Sequence, residues 1–567
     1  MSRNRLATLL LVCIIGLLFL CGTAAAQGVD APTAVPDHVR GLGWYDWVVI
    51  AASGAGMLAL GGFYARRQKT TSEFYVGGRK LGSIAVGISL YATLLSTISY
   101  LAVPGEMINK GPVILWSIVA LPFTYVTVGY LMIPLLMKYR VTSAYEIIEQ
   151  RLGVGPRLLA VLLFLGLRFV WMGLMVNVAA KAVAAIIVFD AAAQKDLVPW
   201  IVVICSIVAI AYTAMGGLRT VVVTDVVQFV LLMGGAVLTI VAITVHMGGF
   251  HWFPTEWSPG WQEQPAFSLD PTVRVTVIGT ILSVFLWSVC TAGSDQTAVQ
   301  RFMATGGAKA ARKSYLANVV VGAGNSIILG LVGFALLGFY GSNEQFILGE
   351  GGLAQQGDQL FPQYIAHFLP PGIAGLVVAA MFAAVMSSLD SGLNSSTAVI
   401  QVDLIDRFRR HRDTEEHNLW TARVLSVVIG VIIILLNVQI AKVKGNIMEV
   451  TNKTVNLPTY PLASLFFLAF FVRFTTPFGA IISTIYGLSA AMLVAFWDLI
   501  AGGPALSFQW IPVVSLTVNL SLGIALSLLP MRGRAPATQV ALGIVAMIPL
   551  VAFFVWAASL GIEVAAS

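Results

Sequence analysis

The chain has 567 residues, of which 58% are hydrophobic and only 10% charged, and its mean hydropathy is +0.87. A water-soluble fold of this length carries far more polar surface, so these values exclude it and make the lipid bilayer the main solvent. The formal charge of +7 is spread over many loops rather than gathered in a patch, so no nucleic-acid partner is expected.

Residues 1–27 carry Arg3 and Arg5, an apolar run from Leu9 to Leu20, and Ala24-Ala25-Ala26 ahead of Gln27, the layout of a cleavable signal peptide. An external segment, 28–44, follows. Apolar runs then predict helices near 45–65, 82–108, 112–136, 157–189, 197–215, 220–246, 273–292, 315–340, 372–400, 419–440, 446–471, 477–498, 508–529 and 537–560. The fold class is therefore an all-α polytopic membrane protein with about fourteen transmembrane helices.

The basic loop residues, among them Arg66, Arg79, Arg140, Arg301, Arg407 and Arg473, gather on one side of these spans. Arg40, Lys110, Lys195, Arg274, Lys442 and Lys444 are the few on the other. The positive-inside rule then predicts a multi-pass protein of the plasma (inner) membrane, with N-terminus and C-terminus both outside. Two longer external loops, 247–272 and 341–371, are polar and acidic and read as lids or solvated caps. Cys13, Cys21, Cys205 and Cys290 make no disulfide framework, and the histidines have no zinc-ligand spacing. There is no phosphate-binding glycine loop to suggest an ATP-driven pump, and no nucleophile–base pair or metal motif to suggest an enzyme.

Polar side chains inside apolar spans are costly unless they face a partner or a cavity, so each is a functional candidate. In the stretch Ala384 to Ser396, residues Ser387, Asp390, Ser391, Asn394 and Ser395 recur every three or four positions and share one helix face. Hydroxyls, one carboxylate and freed carbonyls suit a hard monovalent cation, although small polar residues also serve as packing glue. A second acid, Asp225, lies about two turns into the helix that follows Gly216-Gly217, too deep for a helix cap. The segment Gly87 to Tyr100 is rich in hydroxyls, and Pro104-Gly105 behind it weakens the helix, so a break there could open carbonyls to a central cavity.

These stretches, Gly216-Gly217 to Gln228, Ser387-Ser388 to Ser396, and Asp295-Gln296 followed by Gln300-Arg301, resemble the sodium:solute symporter family, which includes sodium/glucose, sodium/proline and sodium/sialic acid cotransporters. The resemblance spans roughly 45–530 and implies the inverted five-helix repeat of the bacterial leucine transporter. It would place one repeat at 82–246, its inverted partner at 273–471, an extra helix at 45–65, and three further helices over 477–560. It implies Na+ as coupling ion, no organic cofactor, and a general sodium site of backbone oxygens from Ala92, Leu95 and Ala384 with the hydroxyls of Ser387 and Ser388. A second sodium site, found in only some members, would use Asp225, Ser387 and Ser391. Asp390 stands where such members often carry a hydroxyl, and is included as a candidate ligand.

The resemblance also implies a solute wall of Ser99, Trp287, Ser288, Thr291 and Asn452, with Lys453 and Asn456 nearby. The glutamate and lysine that hold sugar hydroxyls in sugar-carrying relatives fall at Ile118 and Gly322, so that sugar site is not copied. Arg168 lies too deep in its helix to reach the surface, and its guanidinium requires a carboxylate, either of the solute or of Asp225 or Asp390. The expected function is sodium-coupled import of a small polar organic solute, an organic anion or a sugar-like molecule, across the lipid bilayer by alternating access. A sensor or channel on the same scaffold is the alternative.

Overall fold

The computed structural model describes residues 42–529 and 542–550, apart from 66–67, 69, 96, 188–190, 259, 348–352, 410–413, 441–450, 452, 454–455 and 544. The expected signal peptide, and most of the expected span at 537–560, lie outside the described residues. Among the described residues every regular element is helical. Ten helices among the described residues are long and apolar enough to cross a membrane, or up to eleven if a bent pair counts as one span.

The first helix, α1 (Trp44–Ala65), exposes Trp44, Tyr45 and Trp47, the amphipathic aromatics favoured at a membrane interface. Its Asp46 is buried, and the Oδ1 atom accepts the backbone N–H groups of Gly372 and Gly375 at 2.7 Å each. Gly375 has to lack a side chain here, since a Cβ would stand 2.4 Å from the Asp46 backbone. A short helix, α2 (Thr71–Val76), leads to α3 (Ser83–Leu94) and α4 (Thr97–Asn109). The two meet at a bend of 61°.

That bend lies at Leu95, whose backbone is extended at φ −78° and ψ 108°, and not at Pro104-Gly105, which α4 absorbs. Gly105 is needed for a different reason: a Cβ there would meet the Asp358 carboxylate at 2.3 Å. The next span, α5 (Pro112–Leu136), opens as a tight 3-10 helix and carries a wide π turn at Val128–Met132. Then come α6 (Tyr145–Leu152) and α7 (Val154–Ile187).

The helices predicted at 197–215 and 220–246 form one element, α8 (Ala191–His246), interrupted at Gly217 with φ 51° and ψ −163°. Unbroken, 56 residues would run about 84 Å, far beyond a hydrocarbon core of about 30 Å. A Cβ at Gly217 would lie 2.6 Å from the Phe74 carbonyl, so only glycine can make this turn beside α2.

The second half of the chain contains α9 (Val277–Ser294), α10 (Gln296–Met303), α11 (Ala308–Ser342), α12 (Leu353–His367), α13 (Ile373–Val399) and α14 (Glu415–Ile440). It closes with α15 (Thr459–Phe471), α16 (Pro477–Ala495) and α17 (Trp510–Ser527). The loop expected at 341–371 is thus partly helical. The central helix is α13, with 94% of its most apolar window buried. By contrast α5 exposes Trp116, Phe123, Val126 and Tyr130, which suits lipid contact.

Candidate functional site

The end of α3 leaves its last carbonyls without the N–H groups that a continuing helix would supply. Ala92 and Leu95 are buried at this end, and Ser388 of α13 reaches it, its hydroxyl 3.4 Å from the Thr93 carbonyl. Ala384 and Ser387 are also buried on α13. The residues of the expected general sodium site therefore lie on two helices that touch where one of them is broken.

Beside this point α3, α4, α5, α9 and α11 surround a cavity of about 350 Å³. Leu95, Ser99, Trp287, Ser288 and Thr291 line it, together with Tyr91, Asn318, Asn325 and Asn456. Trp287 donates its indole N–H to Asn456 Oδ1 at 3.2 Å. Gly322 lies on the same wall, and a Cβ there would come within 2.9 Å of the Tyr91 ring. Four of the expected solute-wall residues thus share one cavity, while Asn452 lies outside the described residues.

Arg168 does not line this cavity. Its guanidinium is 3% exposed and pairs with the carboxylate of Asp295, rather than with either of the two acids considered for it. Asp295, extended at φ −76° and ψ 125°, separates α9 from α10 and caps α10 through the Thr297 N–H at 2.8 Å. The pair thus fixes the interruption between α9 and α10.

Asp225 is fully buried and accepts the hydroxyls of Ser387 at 2.5 Å and Ser89 at 2.5 Å. Arg301 stands against it, Nη2 to Oδ2 3.1 Å. This arginine, assigned to a cytoplasmic loop from charge distribution, is completely buried, because it sits on the short helix α10 folded back among the spans. Asp390 faces away, accepting the Tyr212 hydroxyl at 2.8 Å and the Ser391 hydroxyl at 3.2 Å. The sequence does hold a sign of Arg301: Gln296–Met303 is too short to cross a membrane, yet carries Ala298, Val299, Phe302 and Met303 to bury.

Ion pairs also close both ends of the helix assembly. Arg274 clasps Glu106 through two bonds of 2.6 and 3.2 Å. At the opposite end Arg157 donates to Asp403 at 2.7 Å and pairs with Glu149, which Arg407 also contacts at 2.8 Å.

A helix broken against a neighbour rich in hydroxyls, beside a cavity that carries several polar side chains and inside a bundle of candidate membrane spans, is an arrangement that secondary transporters share. The family model of the sodium:solute symporter family matches residues 74–487. The chain belongs to this family, and is accordingly a multi-pass, sodium-coupled transporter of a small solute. It is 27% identical to a sodium/sialic acid symporter of Proteus mirabilis, over 81% of this chain and 91% of that one. It is 28% identical to human sodium-coupled monocarboxylate transporter 1, over 81% of this chain and 74% of that one. A solved structure of a substrate-bound, outward-open sodium-coupled sialic acid symporter superposes with a TM-score of 0.73 at 25% identity, covering 86% of this chain and 98% of that one.

Proposed function

We propose that the protein imports a small polar organic solute, an organic anion or a sugar-like molecule, by binding sodium between the broken end of α3 and the Ser387-Ser388 turn of α13. The observation that carries this reading is the approach of Ser388 to the Thr93 carbonyl, next to the cavity lined by Ser99, Trp287, Ser288 and Thr291. Sodium would take backbone oxygens of Ala92, Leu95 and Ala384 and the hydroxyls of Ser387 and Ser388. Holding α3 against α13 shapes the wall that Leu95 and Ser99 present to the solute, so the two bind better together than apart. Each positive charge carried inward gains about 2.3 kcal/mol per 100 mV of membrane potential. The relatives act on sialic acid or monocarboxylates, which favours testing those classes first.

The finer architecture is proposed on the same footing: about fourteen spans, a signal peptide at 1–27, termini outside, and an inverted five-helix repeat over 82–246 and 273–471. What supports the repeat is that each unit opens with an interrupted helix, one at Leu95 and the other at Asp295.

The test is uptake into proteoliposomes of sialic acids, monocarboxylates and sugars, with sodium or choline outside. At least one class should accumulate only with sodium. Accumulation unchanged in choline would sink the coupling claim.

A further inference from the structure

Away from the central cavity, the face that the positive-inside rule assigns to the cytoplasm carries a recess of about 500 Å³. The end of α6, with Gln150 and Arg151, forms one wall. The end of α15 and the turn into α16, with Phe470, Arg473 and Thr475, form the other. Two guanidinium groups line this recess and no acid does. Arg151 is pinned by a bond from its Nε to the Ala469 carbonyl at 3.1 Å, and its Nη1 and Nη2 have no partner among the described residues. Arg473 is exposed and has none either among the described residues.

Other arginines of this face are engaged. Arg157 pairs with Glu149 and Asp403, and Arg407 shares Glu149. Arg79 donates to the carbonyls of Arg140 and Val141, and Arg312 lies over the Tyr130 ring at 4.5 Å. Glu149, the acid nearest to Arg151 in sequence, is therefore already taken up by other cations.

We propose that this recess binds the phosphate group of an anionic phospholipid, held between Arg151 and Arg473. A guanidinium offers a fork of N–H donors that fits phosphate oxygens, and it is more weakly hydrated than an ammonium. Two like charges in one recess repel each other, and a phosphate placed there relieves the repulsion. Basic recesses between spans on the cytoplasmic side suit lipid headgroups for these reasons.

The surroundings favour a lipid over a soluble phosphate. Phe470 on the recess wall lies beside Phe471, ring centroids 6.4 Å apart, and Phe471 packs in turn on Phe467 at 4.9 Å. Phe467, Phe471 and Phe474 are exposed, and an apolar row at the end of a span suits acyl chains rather than water. One lipid thus meets the arginines with its headgroup and the phenylalanines with its chains. Bound there, it ties α6 to the turn after α15, adding to the hydrogen bond that Arg151 makes to Ala469. Because α6 also holds Arg157 and Arg407 through Glu149, the lipid stiffens this end of the helix assembly.

The experiment titrates the purified full chain, in a neutral detergent, with dioleoylphosphatidylglycerol, dioleoylphosphatidylcholine or inorganic phosphate. Melting temperature is read in each case, and native mass spectrometry counts the lipids retained. Phosphatidylglycerol should raise the melting temperature of wild type and stay bound, whereas phosphatidylcholine and inorganic phosphate should do neither. Arg473→Gln breaks no described bond, so it should fold as wild type does. It should bind phosphatidylglycerol about five-fold more weakly, the effect of one charge worth about 1 kcal/mol near an anionic surface. Adding Arg151→Gln should weaken binding about five-fold again. A wild-type melting temperature indifferent to phosphatidylglycerol overturns the inference, and so does an Arg473→Gln protein that responds as wild type does. An equal rise with inorganic phosphate shows a soluble-anion site and overturns the lipid assignment. An equal rise with phosphatidylcholine shows that acyl chains alone bind, and overturns it too.

Discussion

Arg168 and Asp295 form an ion pair buried between α7 and the start of α10, joining residues 127 positions apart in the chain. The pair holds the interruption at Asp295 in place, and so stands behind the position of Arg301 without touching it. Taking two charges out of water is costly, and removing one partner leaves the other buried and uncompensated.

Arg168→Gln should therefore destabilise the protein by roughly 3–5 kcal/mol, and Asp295→Asn by a similar amount. The double variant should recover part of the loss, because neither charge is then left alone. Thermal unfolding in one detergent, carried out as a double-mutant cycle, measures this. Additive losses would show that the pair is not coupled.

Ser388→Ala deletes one oxygen from the niche between α3 and α13. The sodium concentration for half-maximal uptake should rise on the order of ten-fold, the effect of losing about 1.4 kcal/mol of binding. Maximal uptake at saturating sodium should be largely retained. A sodium dependence matching wild type would remove Ser388 from the ion shell.

Gly322→Ala places a methyl group within 2.9 Å of the Tyr91 ring on the cavity wall. The ring has to shift into the space the solute would use, and overpacking of this kind typically costs 1–3 kcal/mol. Solute affinity should fall several-fold while sodium binding without solute stays the same, a split that isothermal titration reads directly. Equal losses of both would mean that the ring shift reaches α3 and its niche.

On α12, outside the spans, burial and then the negative charge of Glu106 push the Asp358 carboxyl up to about 6, against the opposing pull of Arg274. A raised pKa for an acid means that the folded state holds the proton more tightly than the unfolded chain. Stability from this group is therefore present at low pH and lost as pH rises to about 6. The melting temperature of wild type should fall between pH 5 and pH 7 by more than that of Asp358→Asn, which should also be the more stable of the two at pH 7.5. Parallel pH profiles for the two proteins would show that Asp358 is solvated rather than buried.

The stripe Ser387, Asp390, Ser391 and Asn394 could be read from sequence because helical period alone puts these residues on one face. The break at Leu95 had no such local mark. Pro104-Gly105 is the stronger helix breaker, yet α4 accommodates it, with Gly105 making room for Asp358. Arg301 was misplaced for a related reason. Counting basic residues between spans treats each as solvated, whereas α10 turns back inward and buries one. Pairings such as Arg168 with Asp295 or Arg301 with Asp225 join distant segments, and no periodic pattern in either segment records its partner.

The clasp between Asp46 and the start of α13 has a mechanical consequence. α13 carries Ser387 and Ser388, and its N-terminal end is moored to α1 by two N–H bonds to a single carboxylate oxygen. Lower down, a Cβ on Gly61 of α1 would lie only 2.6 Å from the Tyr212 Cβ, and Tyr212 in turn holds Asp390. Any rocking that parts α13 from its neighbours must drag α1 along or tear both moorings. The first helix of the described chain, which contributes nothing to the cavity wall, is thereby made ballast on the α13 side of the pivot.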